Sequence, residues 1–132
     1  MSYQSKYFKE SETACRCPDN CGMVPGNTIL AIADSIREGW GSPIDCTSGA
    51  RCQNYNTYLA MHGIPTAKKS AHMEGIAMDL KPVNGKVKEF QDYVRSRLVE
   101  LNIRMESPID APSWVHIDTR PVAPGKPRVF RA

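Results

Sequence analysis

One of the chain's three histidines, His72, lies in the stretch SAHMEGIAMD, which ends on Asp79. Side chains alternate along a strand, so a strand here puts Gly75, Ala77 and Asp79 on one face and Ile76, Met78 and Leu80 on the other. The apolar set then enters a core. The small set leaves an open floor beneath Asp79, with His72 leaning over it from the preceding turn. A third donor is available in SWVHIDT, where Trp114, His116 and Asp118 share a face while Val115 and Ile117 point inward. Two imidazoles and a carboxylate form a nitrogen/oxygen set suited to a single zinc ion, with a fourth position left for water, as in catalytic sites. Zinc would acidify that water and polarise a carbonyl, the two tasks of peptide hydrolysis. Spacing alone does not decide the matter, because a turn histidine and a strand aspartate are more often ordinary surface or hydrogen-bonded residues.

The elements that must position these groups follow from periodicity. Asn27 is a good N-cap for NTILAIADSIREGW, in which Ile29, Leu30, Ile32, Ala33 and Ile36 form a helical stripe that Gly39 and Gly41 stop. PIDCTS reads as a short strand and RCQNYNTYLAMHG as a helix ending at Gly63, followed by a loop through residues 64–70. GIAMDLKPV reads as a strand ended by Pro82. VKEFQDYVRSRLVEL places Val87, Phe90, Val94, Leu98 and Leu101 on one helical face. IRMES, SWVHIDT and PRVF read as three strands separated by Pro-rich loops. The order predicts an α+β domain with a mainly antiparallel sheet and flanking helices. Trp40 is expected in packing and His62 at an exposed helix end.

At 132 residues, 41% hydrophobic and 23% charged, the chain suits one domain over residues 1–132, with a Cys-containing lead-in over 1–26. No apolar run approaches a membrane span, so no membrane insertion is expected. The net charge of +3 comes without a dense basic block, so nucleic acid is not an expected partner. The polar opening MSYQSKYFKESE shows no Sec-type signal. Five cysteines cannot all pair internally. Reduced buried or loop thiols, with one disulfide after release, are the default for Cys15, Cys17, Cys21, Cys46 and Cys52. A structural zinc site made by the first three plus Cys46 or Cys52 is the alternative, although C-x-C-x3-C is not a standard finger spacing.

SAHMEGIAMD resembles the S-x-H-x-x-G-x-A-x-D motif of the M15 zinc peptidases, the D-Ala-D-Ala carboxypeptidase and murein endopeptidase group that shares the Hedgehog/DD-peptidase fold. CTSGARCQNYN followed by HGIPTAKKSAH is similar to that family's SGYRC segment, and SWVHID to its W-x-H block. FKESETACRCPDNCG looks like the Cys-containing lead-in of phage and bacterial members. The motifs occur in the family's order and cover about residues 8–130. The resemblance implies a zinc metallopeptidase with His72, Asp79 and His116 as ligands. Arg51 stands where the family has its substrate- and transition-state-stabilising arginine; its bland reading is a solvated helix-start residue. Ser70 would bind substrate or hold the loop, and Trp114 would wall the cleft.

One position departs from the pattern. Many members carry Glu or Asp three residues before the last histidine, and here that position is Ser113, which cannot act as a base at neutral pH. Asp118 and Glu106 are the substitutes, the second if a hairpin pairs residue 106 with residue 114. Asp110 ranks behind them, no protein base at all is a further possibility, and Asp118 has a second reading as the residue that orients a ligand imidazole. The resemblance implies a monomer acting on peptidoglycan stem peptides, as a carboxypeptidase or an endopeptidase. It also suggests a phage-like lysis enzyme, or endolysin, made in the cytoplasm and released to the wall by a holin-type pore. The rival readings are a non-hydrolytic zinc-bearing domain that binds wall peptide or protein, and a small intracellular metalloenzyme acting on another amide.

Overall fold

The apolar stripes predicted for the two long helices meet one face of a sheet. In the computed structural model, which describes residues 3–64, 66 and 69–132, the elements run in chain order as α1 (Glu10–Thr13), α2 (Asn27–Trp40), β1 (Ile44–Ser48), α3 (Gln53–Met61), a 3-10 turn (Ala71–Glu74), β2 (Ala77–Pro82), α4 (Val87–Leu101), β3 (Arg104–Glu106), β4 (Val115–Asp118) and β5 (Val129–Phe130). Of the loop expected over 64–70, positions 65, 67 and 68 lie outside the described residues. The fold is α+β, with helices flanking a five-stranded sheet of order β1-β2-β4-β3-β5. Its pairs are antiparallel except β3–β5, which is parallel.

Ile29, Ala33 and Ile36 of α2, and Phe90, Val94 and Leu98 of α4, pack with Met78, Leu80, Val115 and Ile117 from the sheet to form the core. Burying such side chains contributes roughly 1.5–3 kcal/mol each. The alternation expected for β2 and β4 therefore holds, and it turns Asp79, His116 and Asp118 onto the opposite face. Among the described residues, no helix is long and apolar enough to cross a membrane.

Three local expectations change. Gly26, not Asn27, is the N-cap of α2, and the Asn27 side-chain oxygen instead accepts the Tyr3 backbone N–H at 3.0 Å. Gly39 lies inside α2 and does not end it. A β-carbon there would run into the Tyr93 hydroxyl on α4, so glycine allows the two helices to approach. The stop is Gly41, left-handed at φ 78°, whose N–H caps the Arg37 carbonyl. Gly75 does not belong to the strand face beneath Asp79: it is the left-handed residue, φ 71°, that ends the 3-10 turn before β2 begins. The packing expectations for Trp40 and His62 hold. Trp40 stacks edge-on against Phe90 at 5.1 Å, and His62 is exposed at the end of α3 beside Tyr58.

Candidate active site

Register brings the first two predicted ligands together. β2 and β4 pair so that Asp79 lies opposite His116, and His116 Nδ1 is 2.9 Å from Asp79 Oδ1. His72 arrives from the 3-10 turn, with its Nε2 3.2 Å from the same oxygen. Ser70 caps that turn, its hydroxyl accepting the His72 N–H at 3.2 Å, so it holds the loop. One ligand atom from each of His72, Asp79 and His116 lies within 4.8 Å of the others, a group able to hold a metal ion.

The remaining ring nitrogens are fixed by other residues. His72 Nδ1 donates to the Gly49 carbonyl at 2.7 Å, leaving Nε2 turned toward Asp79. His116 is arranged the other way, its Nε2 donating to Asp118 Oδ2 at 2.9 Å and its Nδ1 facing Asp79. Such partners set the tautomer and raise the basicity of a ligating imidazole. Burial opposes charge on His116, but hydrogen bonds to Asp118 and Asp79, and their charges, hold it up at about 9. Burial likewise opposes charge on Asp79, and the hydrogen bonds from His116 and His72 override it, holding the carboxyl well below the usual range. The cluster is electrostatically arranged to gather positive charge around one carboxylate.

Asp118 is fully buried and heavily engaged. Arg104 grips it with a fork of 2.8 and 2.9 Å, and the Arg120 backbone N–H adds a bond of 3.1 Å. Glu106 is placed differently. The hairpin pairs Arg104 with Asp118 and Met105 with Ile117, so Glu106 continues the register opposite His116 and not opposite Trp114 as expected. A shift of two residues preserves the face, and Glu106 still lines the cleft. Burial raises its pKa; His116 pulls it back, while the charges of Asp79 and Asp110 add to the rise. Asp110 also lines the cleft but is engaged by Arg131 at 2.8 Å. Ser113 is exposed.

The cleft over the cluster measures about 700 Å³, and Arg51, Ser70, Trp114 and Phe130 are among its walls. Arg51 is braced by Asn56 and Ser48, each at 3.2 Å, while its Nε is buried without a partner among the described residues. Arg104, Arg120 and Gly49 were not singled out from spacing. Arg104 shares the Glu106 face of β3, a signal present in the sequence, and its guanidinium sits 3.9 Å over the Phe130 ring. Arg120 reaches back to Glu74 at 2.5 Å and to the Lys69 carbonyl at 2.6 Å. Gly49 acts through its carbonyl, which no residue type reveals.

The family model described as Peptidase M15 matches residues 6–118. The chain belongs to the Peptidase M15 family. It is thus a metallopeptidase by family, and the group formed by His72, Asp79 and His116 is where an M15 fold of this sequence can hold its metal. No match was found among curated proteins or among solved structures.

Proposed function

We propose that this M15 peptidase is a zinc-dependent hydrolase of peptidoglycan stem peptides, cutting a terminal D-Ala-D-Ala bond or an internal bond that involves a D-residue. The observation that carries the reading is the convergence of His72, Asp79 and His116 at the base of a cleft. The nitrogen/oxygen donors suit zinc and, being three, leave a coordination position for a reactant. When bound there, zinc supplies Lewis acidity, lowering the pKa of water and polarising the scissile carbonyl.

The chain's own residues do the rest. Glu106 is the general base that accepts the proton of the attacking water. Its register opposite His116, the lack of an arginine fork on it among the described residues and a pKa raised by burial support this assignment. Asp118 orients His116, a part supported by its complete burial and its grip by Arg104. Arg51, held by Ser48 and Asn56 with an Nε that has no partner among the described residues, pairs with the oxyanion that develops on the carbonyl. Trp114 and Phe130 wall the cleft against the substrate, and residues 1–132 act as one domain in a monomer.

Ser113, exposed where many relatives carry an acid, favours a second reading: a zinc-bearing domain that binds wall peptide without cutting it. Incubation of purified sacculi with the protein, with and without chelator, separates the two. Mass spectrometry of the released fragments is expected to show new termini that chelator abolishes. Zinc content without new termini would establish the binder, and cleavage that survives chelation would overturn the metal reading.

A further inference from the structure

A second cluster of metal-ligating side chains lies outside the cleft. Cys15, Cys17, Cys21 and Cys52 each place a sulfur within 4.8 Å of the others. Three come from the lead-in between α1 and α2, and the fourth is the N-cap of α3. We propose that these four cysteines form a structural tetrathiolate zinc site that fastens the lead-in to the loop carrying Gly49 and Arg51.

The donor geometry is that of a closed site. Zinc–thiolate bonds of about 2.3 Å put tetrahedral sulfurs about 3.8 Å apart, compatible with the spacing here. Backbone N–H groups are aimed at the sulfurs: Cys21 to Cys17 at 3.3 Å, Cys52 to Cys15 at 3.3 Å and Tyr55 to Cys52 at 3.4 Å. Donors of this kind stabilise thiolates bound to a cation. The backbone is curled to aim them, with Asn20 at φ 50° and Gly22 at φ 77° in the left-handed region on either side of Cys21. The Cys52 sulfur also lies at the positive end of α3, where anionic sulfur is favoured. The fifth cysteine, Cys46, is outside the group: it is buried in the core from β1, and burial pushes its thiol up to about 12.

The cluster has a mechanical consequence. Gly49 packs so tightly on the lead-in that a β-carbon would strike the Thr13 carbonyl, and the Ala50 N–H bonds that same oxygen at 2.9 Å. On its other side the loop grips the catalytic turn, through the Gly49 carbonyl on His72 Nδ1 and the Arg51 N–H on the His72 carbonyl at 3.1 Å. A cross-link through Cys52 thus holds the segment that aims both His72 and Arg51.

Metal analysis of the purified full chain tests this independently of peptidase activity. Wild type is expected to carry two zinc equivalents, and His72→Ala/His116→Ala to keep one. Loading the histidine variant with cobalt is expected to produce thiolate-to-cobalt charge-transfer absorption, and the clustered thiols are expected to resist modification until a strong chelator is added. Cys17→Ser/Cys21→Ser is expected to lose one equivalent. If that variant does not fold, the cobalt spectrum and thiol protection of the histidine variant decide. A histidine variant without zinc and without the cobalt–thiolate signal, or an unreduced protein whose Cys15, Cys17, Cys21 and Cys52 are found in disulfides, would overturn the proposal. A wild type that cuts no peptide while its histidine variant retains zinc would sink the hydrolase reading and leave the cysteine site standing.

Discussion

The histidine–aspartate cluster and the cysteine cluster are both groups of side chains that converge on a point, yet they differ in donor number, donor type and surroundings. The first uses two imidazoles and a carboxylate and opens into a cleft of about 700 Å³. The second uses four sulfurs, with backbone N–H groups turned on three of them. Three donors leave a position where a reactant can approach, whereas four complete a tetrahedron. On the proposed readings of the two clusters, chemistry and mechanical support are divided between sites joined by one short loop, residues 49–52.

The sharpest way to test that division is to alter the cleft while leaving both metal groups intact. Glu106→Gln is expected to lower kcat by about 10²-fold or more, the range of a lost general base, with zinc content unchanged. Steady-state turnover and metal analysis together read this, and near-wild-type turnover would return the proton-transfer role to Asp118 or to solvent. Because burial raises the Glu106 pKa, the acidic limb of kcat is expected above the ordinary glutamate range, rising with pH as the carboxyl ionises.

Arg51→Ala is expected to cost about 10²-fold or somewhat more in kcat, as for other lost oxyanion donors. Arg51→Lys should restore only part, since Lys lacks the planar fork. A change confined to KM would assign Arg51 to uniform substrate binding.

Asp118→Asn should weaken zinc affinity by about 10- to 100-fold, the usual effect of losing an orienting carboxylate behind a ligand imidazole. Competition with a chromogenic chelator measures it. An undiminished affinity combined with lost turnover would place Asp118 directly in the chemistry.

The smallest effect concerns pH and stability. His116 is held at about 9 against an ordinary value of 6.5. Its stabilisation in chelated protein is therefore whole below pH 6.5 and is lost as pH rises through about 9. Calorimetry is expected to show Tm falling across that window in chelator. Zinc-loaded protein should lack the fall, because the metal takes the place of the proton. Parallel curves for the two samples would mean that His116 does not meet the metal.

Much of this arrangement was legible in the sequence because it depends on local periodicity. The alternation in residues 77–80 and 115–118 separated core from site, and the helical stripes of α2 and α4 specified what would cover the other face. Ile76, expected in the core, precedes β2 and stays outside the core. Order along the chain was enough to nominate His72, Asp79 and His116. Gly75 departs from expectation for a local reason, the 3-10 turn that it ends, whereas the other departures lie in contacts with residues distant along the chain. Gly39 reads as a helix stop until the Tyr93 hydroxyl of α4 is seen against it. The β3–β4 register lies two residues from the one expected because nothing in the Pro-rich loop from 107 to 114 encodes its own reach.

The sequence by itself determined the two long helices, the strands at the centre of the sheet and the faces they bury, since these follow from short-range sterics and the removal of apolar surface from water. It also nominated the candidate donors of the cleft. The tertiary structure alone decided which ring nitrogen of each histidine faces Asp79, that Arg104 engages Asp118 and leaves Glu106 to the cleft, and that Cys52 rather than Cys46 joins the lead-in thiols. Hydrogen-bond geometry and distance depend on how separate segments dock, and residue type and spacing carry no record of that docking.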